Sequence, residues 1–249
     1  MTTTSSKPVS AVTTLDKLRV KLFADGADRD GIAKLAANAH IAGFTTNPTL
    51  MRKAGIADYE AFAKSVLEII GSRPISYEVF ADDFDEMRRQ ALKITTWGDN
   101  VYVKIPVTNT KAESCAALVR ELSAEGVKLN VTALMTDVQV AWVAEALAAS
   151  PGAYISVFAG RVADTGRDPV PIMKRSLDIM SSNPKLELIW ASPRELLNVF
   201  QADQAGCHII TATNDILKKL AIVGKDLDAF SLETVRMFHG DAEAAGFRL

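Results

Sequence analysis

The chain has 249 residues, and its 28 Lys plus Arg against 30 Asp plus Glu leave a net charge of −2. That balance lacks the clustered basic excess of a nucleic-acid binder. It also contains no apolar run of about 18 residues, so no membrane span is expected. The length suits one large domain or two small ones, and either can bury a core without disulfide or metal staples.

Residues 1–14 are rich in Ser, Thr and Ala and lack the charged start and apolar stretch of a signal peptide. We read them as a flexible lead-in, with one domain over residues 15–249. The first apolar run, Arg19–Ala24, ends at Asp25, and Asp28 suits the N-cap of a helix starting near Arg29. The second run, Gly43–Thr46, carries Thr45 and is followed by Asn47. Tyr59–Ile70 has apolar residues at helical spacing. The third run, Ile75–Phe80, holds Glu78 after Tyr77, and the fourth, Val101–Ile105, holds Lys104. The fifth, Val127–Val131, brings Asn130 and, just beyond it, Thr132. Asp137–Ala149 again has helical spacing. The sixth run, Ala153–Phe158, contains Ser156 and Phe158 and precedes Arg161. The seventh, Leu186–Ala191, precedes Ser192 and Arg194, and the eighth, His208–Thr211, ends in Thr211.

Short apolar runs alternating with helical segments imply parallel βαβ units. Eight such units in this length predict an α/β fold, a single (βα)8 TIM barrel. An open doubly wound sheet is the alternative. The first strand, however, leads into Asp25-Gly26-Ala27-Asp28, which is no glycine-rich dinucleotide loop. In a barrel all eight strands end at one mouth, where active sites sit, so polar residues far apart in sequence converge there. Any one of them can simply mark a strand end. A Lys, an Asp and a Glu together are harder to explain that way, because burying charge is costly.

Lys104 sits among β-branched neighbours in Val101-Tyr102-Val103-Lys104-Ile105-Pro106. Burial disfavours the charged form of an amine, and a neutral amine attacks a ketone to form an imine. The plainer reading is a rim salt bridge. Lys21 and Lys128 open their strands and are expected at the opposite end. Asp25 is a candidate base for a substrate hydroxyl. Glu78 is either a proton shuttle or only a counter-ion for Lys104. Arg161 and Arg194 follow the sixth and seventh strands, where barrels often hold phosphate, and a guanidinium suits such an anion. Ser192 adds a hydroxyl there. Both arginines are otherwise ordinary surface residues. The two cysteines, Cys115 and Cys207, and three histidines are scattered. They suggest no metal site, and two lone thiols fit a reducing cytoplasm.

These residues resemble the transaldolase family. Gly43-Phe44-Thr45-Thr46-Asn47-Pro48-Thr49-Leu50 resembles its second-strand signature, and Val101–Pro106 the segment of its Schiff-base lysine. Asn130-Val131-Thr132, Ile155–Arg161 and Ala191–Arg194 resemble its fifth-, sixth- and seventh-strand motifs. The similarity runs in order from about Leu22 to Thr211. The resemblance implies that Lys104 forms an imine with a ketose phosphate, with Asp25 as base and Glu78 shuttling protons with Thr132. It implies that Thr45, Asn47, Asn130, Ser156 and Phe158 line the sugar site. Arg161, Ser192 and Arg194 would grip the phosphate. It also implies no cofactor, sugar phosphates as small-molecule partners, no nucleic acid or membrane partner, and a homo-oligomer. In the related fructose-6-phosphate aldolases a tyrosine matches Phe158 and a glutamine matches Glu78, which favours transfer over release. Val157 and Pro193 depart from the family pattern beside the anion site, so a sulfonated or otherwise modified sugar is an alternative substrate. A non-catalytic sugar-phosphate-binding barrel and a metal-free isomerase using Glu78 are rivals of other kinds.

Overall fold

The computed structural model describes residues 14–249. All but the last residue of the expected lead-in lies outside the described residues. The barrel occupies Arg19–Lys218, and residues 14–18 group with Lys219–Leu249 in a second compact unit.

Eight parallel strands close on themselves in chain order, with β1 paired to both β2 and β8. They are β1 (Lys21–Asp25), β2 (Ile41–Thr45), β3 (Ile75–Glu78), β4 (Val101–Pro106), β5 (Leu129–Leu134), β6 (Ala153–Val157), β7 (Leu186–Trp190) and β8 (Ile209–Thr213). Helices intervene: α1 (Arg29–Ala36), α2 (Pro48–Lys53), α3 (Tyr59–Ile70), α4 (Phe84–Thr95), α5 (Ala116–Ala124), α6 (Asp137–Ala146), α7 (Ala159–Asp164), α8 (Val170–Met180), α9 (Leu197–Ala205) and α10 (Asn214–Leu217). The second unit holds α11 (Leu227–Ala244), capped by Asp226, whose side chain accepts from Ala229 N. No described helix is long and apolar enough to cross a membrane.

The (βα)8 expectation therefore holds, and all eight apolar runs became strands. The differences lie at their ends. β5 continues past Val131 to Leu134, and β8 past Thr211 to Thr213, because backbone pairing continues where polar side chains interrupt the apolar pattern. Helix starts follow local capping: Asp28, Asp58 and Asp83 each accept a backbone N–H three residues on. Thr136 and Gln139 form a reciprocal capping box at α6.

Successive side chains on a strand point to opposite faces, so residues two apart share one. Phe23, Tyr102 and Tyr154 each stand two positions before Asp25, Lys104 and Ser156. They form an aromatic floor beneath the polar mouth. Phe23 meets Tyr154 edge-on at 5.9 Å, and Tyr102 stacks on Tyr154 at 4.0 Å. Gly43 makes room for this floor, since a Cβ there would come within 2.5 Å of the Phe23 ring. Tyr77, on the alternate face, packs outward, and its hydroxyl donates to Ala63 O of α3. Both cysteines are free and buried, and burial pushes their thiols up to about 11 for Cys115 and about 12 for Cys207.

Candidate active site

Lys104 is set by β4, whose register places it opposite Glu78 of β3 and Asn130 of β5. The residue is buried, with 6% of its surface exposed. Its Nζ donates to Thr46 O at 2.9 Å and pairs with Glu78 Oε2 at 2.9 Å. The amine thus has a carboxylate within proton-transfer distance. The pair is a salt bridge, as the plainer sequence reading also allowed, with the lysine buried and the carboxylate partly exposed. Lys21 and Lys128 do face the other end, where they meet Glu187 and Asp99 O.

Glu78 is itself held by α3. The Tyr59 hydroxyl donates to Glu78 O at 3.0 Å and accepts from Glu78 N at 2.9 Å. Burial raises the Tyr59 phenol above its usual range, which keeps the donor proton in place. Asp25, at the tip of β1, accepts from Thr45 Oγ1 at 2.7 Å and, over 3.4 Å, from Asn47 Nδ2. Burial pushes its carboxyl above the ordinary value. The Lys104 charge and these hydrogen bonds oppose that shift, and the Glu78 charge adds to it. Asn47 also has a structural duty, since its Oδ1 caps α2 by accepting from Leu50 N.

Side chains from alternate strands meet across the mouth, as inward layers of a barrel do, and Asn130 also reaches Ser156 on the adjacent strand. Thr45 and Thr211 share a hydrogen bond of 2.6 Å. Asn130 Nδ2 donates to Ser76 Oγ at 2.9 Å, while its Oδ1 accepts from Ser156 Oγ at 2.7 Å. Both ends of the amide are thus engaged. Thr132 differs: its Oγ1 is buried without a hydrogen-bond partner among the described residues. A buried hydroxyl left open in this way is suited to a water or a substrate.

The end of the cavity where the sequence suggested an anion site is built by the turns after β6 and β7. Gly160 N donates to Ala191 O, and a Cβ on Gly160 would stand 1.6 Å from Ser192 O. Glycine alone permits that approach. Ser192 adopts the left-handed conformation, φ 58°. Arg194 Nη1 donates to Ser192 Oγ at 3.0 Å, but its Nε and Nη2 are engaged by the Asp164 carboxylate at 2.8 and 2.5 Å. Arg161 has no ion pair or side-chain hydrogen bond among the described residues.

One cavity of about 540 Å³ is lined by all twelve of the site residues expected from the sequence, from Asp25 to Arg194. Val157 and Pro193 are buried and do not line it. A neighbouring cavity of about 430 Å³ shares Asp25 and Leu50. Ser76, Tyr59, Gly160 and Asp164 were missed. Ser76 was legible as the residue two before Glu78 on the same strand face. Asp164 was legible as the carboxylate one helical turn after Arg161. Tyr59 looked like any apolar helix residue.

A closed parallel barrel with a buried lysine–carboxylate pair and a second carboxylate at its mouth defines an enzyme of the (βα)8 class. The transaldolase/fructose-6-phosphate aldolase family model matches residues 22–249, and the chain belongs to that family. It is a transaldolase-type enzyme. A protein named "Probable transaldolase" from Thermoanaerobacter sp. (strain X514) is 37% identical over 203 residues, covering 81% of this chain and 89% of that one. Another of the same name from Hyphomonas neptunium is 35% identical over 234 residues, covering 92% and 100%. Among solved structures, orotidine 5'-monophosphate decarboxylase from Metallosphaera sedula superposes with a TM-score of 0.54 at 12% identity. The match covers 84% of this chain and 98% of that one, a likeness of fold alone.

Proposed function

We propose that the enzyme transfers a dihydroxyacetone unit from a ketose phosphate, such as fructose 6-phosphate, to an aldose phosphate through an imine on Lys104. The observation that carries this reading is the buried Lys104 Nζ, 2.9 Å from Glu78, in one cavity with Asp25. Glu78 takes a proton from the amine, and the freed lone pair attacks the C2 carbonyl. Glu78, acting with Thr132 through a water, then protonates the departing hydroxyl as the carbinolamine loses water. Asp25 removes the C4 hydroxyl proton. The C3–C4 bond breaks, its electrons flow into the iminium to leave an enamine, and an aldose phosphate departs. The enamine carbon adds to the acceptor aldehyde, whose oxygen takes the proton back from Asp25. Hydrolysis frees Lys104. The lysine imine is itself the electron sink, so the chemistry calls for no cofactor.

Thr45, Asn47, Asn130 and Ser156 serve the sugar hydroxyls, and Arg161, Ser192 and Arg194 the phosphate. The rigid Thr45–Thr211 and Ser76–Asn130–Ser156 links support the first assignment, because preorganised donors lose little freedom on binding. Phe158 in the cavity wall, with no hydroxyl to protonate the enamine, supports transfer over release of free dihydroxyacetone. We place the enzyme in the cytoplasm, in keeping with its two buried free thiols. We also read it as a homo-oligomer. Val138 and Trp142, one turn apart on α6, support this, since both remain exposed beside Met135.

Borohydride reduction with fructose 6-phosphate, followed by peptide mass spectrometry, tests the chemistry. A three-carbon adduct on Lys104 is expected. A folded protein that gives no adduct overturns the reading.

A further inference from the structure

At the anion end of the cavity, Arg161 and Arg194 both line the wall, yet their guanidinium groups are in different states. Arg194 presents its planar fork to Asp164, with Nε on one carboxylate oxygen at 2.8 Å and Nη2 on the other at 2.5 Å. That is the two-pronged geometry with which arginine grips a phosphate. A third donor, Nη1, goes to Ser192 Oγ. Arg161 is uncommitted among the described residues and lies three residues before Asp164 on α7, so the carboxylate stands between the two cations. The Arg194 hydrogen bonds, opposed slightly by burial, and then the Arg194 and Arg161 charges hold the Asp164 carboxyl below the usual range. It therefore stays ionised at neutral pH. Two guanidinium groups and one carboxylate leave this end of the cavity with a single net positive charge. A phosphate monoester carries close to two negative charges at neutral pH, whereas a sulfonate carries one.

We propose that Asp164 is a specificity-determining residue: as a built-in counter-anion on Arg194, it restrains the preference of the site for a doubly charged phosphate over a singly charged headgroup such as a sulfonate. The inference rests on the reading of this cavity as a transaldolase site with its anion end at Arg161 and Arg194. A phosphate reaching Arg194 must displace Asp164 or share the guanidinium with it. A singly charged group can be balanced by Arg161 alone. Asp164 and Arg194 are both about half exposed, so solvent screens the pair and the effect is moderate.

The test is calorimetric binding of glycerol 3-phosphate and of 2,3-dihydroxypropane-1-sulfonate to the intact wild-type enzyme and to Asp164→Asn. The asparagine keeps one of the two acceptor oxygens that Arg194 uses and removes the charge. Phosphate binding is expected to tighten about 1.5-fold to fivefold in Asp164→Asn, the range over which exposed pairs act. Sulfonate binding is expected to tighten by a smaller factor. Arg194→Ala is expected to weaken phosphate binding more in the Asp164→Asn background than in wild type, since the arginine is then free to bind. A loss of affinity for both ligands, an equal shift in both, or no phosphate binding by either protein overturns the proposal. The readout needs no turnover. An adduct on Lys104 with unchanged phosphate-to-sulfonate selectivity removes the role of Asp164 alone. The reverse result removes the imine chemistry alone.

Discussion

Glu78 and Lys104 are register partners on adjacent strands, and their side chains close a 2.9 Å ion pair inside the barrel mouth. Adjacent parallel strands set their backbones, and the Tyr59 hydroxyl braces the Glu78 side from α3. Lys104→Ala removes the proposed nucleophile while leaving the aromatic floor intact. Turnover is expected to fall more than about a thousandfold, as loss of a covalent nucleophile does. The variant should retain wild-type circular dichroism. Activity within tenfold of wild type in the folded variant would rule out the imine role.

Asp25 couples activity to stability in opposite directions. Burial raises its carboxyl above 3.8 in the folded state. The native state therefore binds the proton more tightly than the unfolded chain. Stability then declines as pH rises from the unfolded value through the folded one, and the deficit persists at neutral pH. Asp25→Asn removes that deficit. Its melting temperature is expected to exceed wild type at pH 7, with the gap closing as pH approaches 4. Turnover is expected to drop by about 10²- to 10⁴-fold with loss of the base. Thermal scans and rate assays on one preparation check both. A lower melting temperature at pH 7 would contradict the account.

Gly160→Ala places a methyl group 1.6 Å from Ser192 O, so the β6 and β7 turns must part. Overpacking of this kind costs about 1–3 kcal/mol. Denaturant titration should show that loss. The KM for a phosphorylated acceptor should rise more than the KM for glyceraldehyde, because the turns carry Arg161 and Ser192. An unchanged midpoint would mean that the turns relax freely.

Phe158→Tyr brings a hydroxyl to the wall of the cavity in which the proposed enamine would form. Release of free dihydroxyacetone from fructose 6-phosphate alone is expected to rise by about tenfold, because protonation of the enamine needs a nearby acid or water. The comparison is release with and without an aldose phosphate acceptor. Fast release by the wild type without acceptor would make it an aldolase instead.

Much of this architecture was legible along the chain. Eight apolar runs separated by helical segments implied a closed parallel barrel. The period of two along each strand puts Lys104 on the face of Tyr102 and Asp25 on that of Phe23, but the aromatic floor they share emerged only when the strands paired. The common mouth of a barrel then gathered Asp25, Glu78, Lys104 and Asn130 without knowledge of their distances. Beyond Glu78 as a possible counter-ion for Lys104, the sequence did not indicate which polar groups bond to one another. Thr45 meets Thr211, Ser76 meets Asn130, and Lys104 meets Thr46 O, each across an intervening strand. Those meetings depend on how far each strand is staggered against the next, a property of closure shared by all eight and carried by no single segment. The capture of Arg194 by Asp164 was hidden for the same reason. Their separation of 30 residues is bridged only when the β6 and β7 turns meet at Gly160, where the missing side chain lets one backbone touch the other.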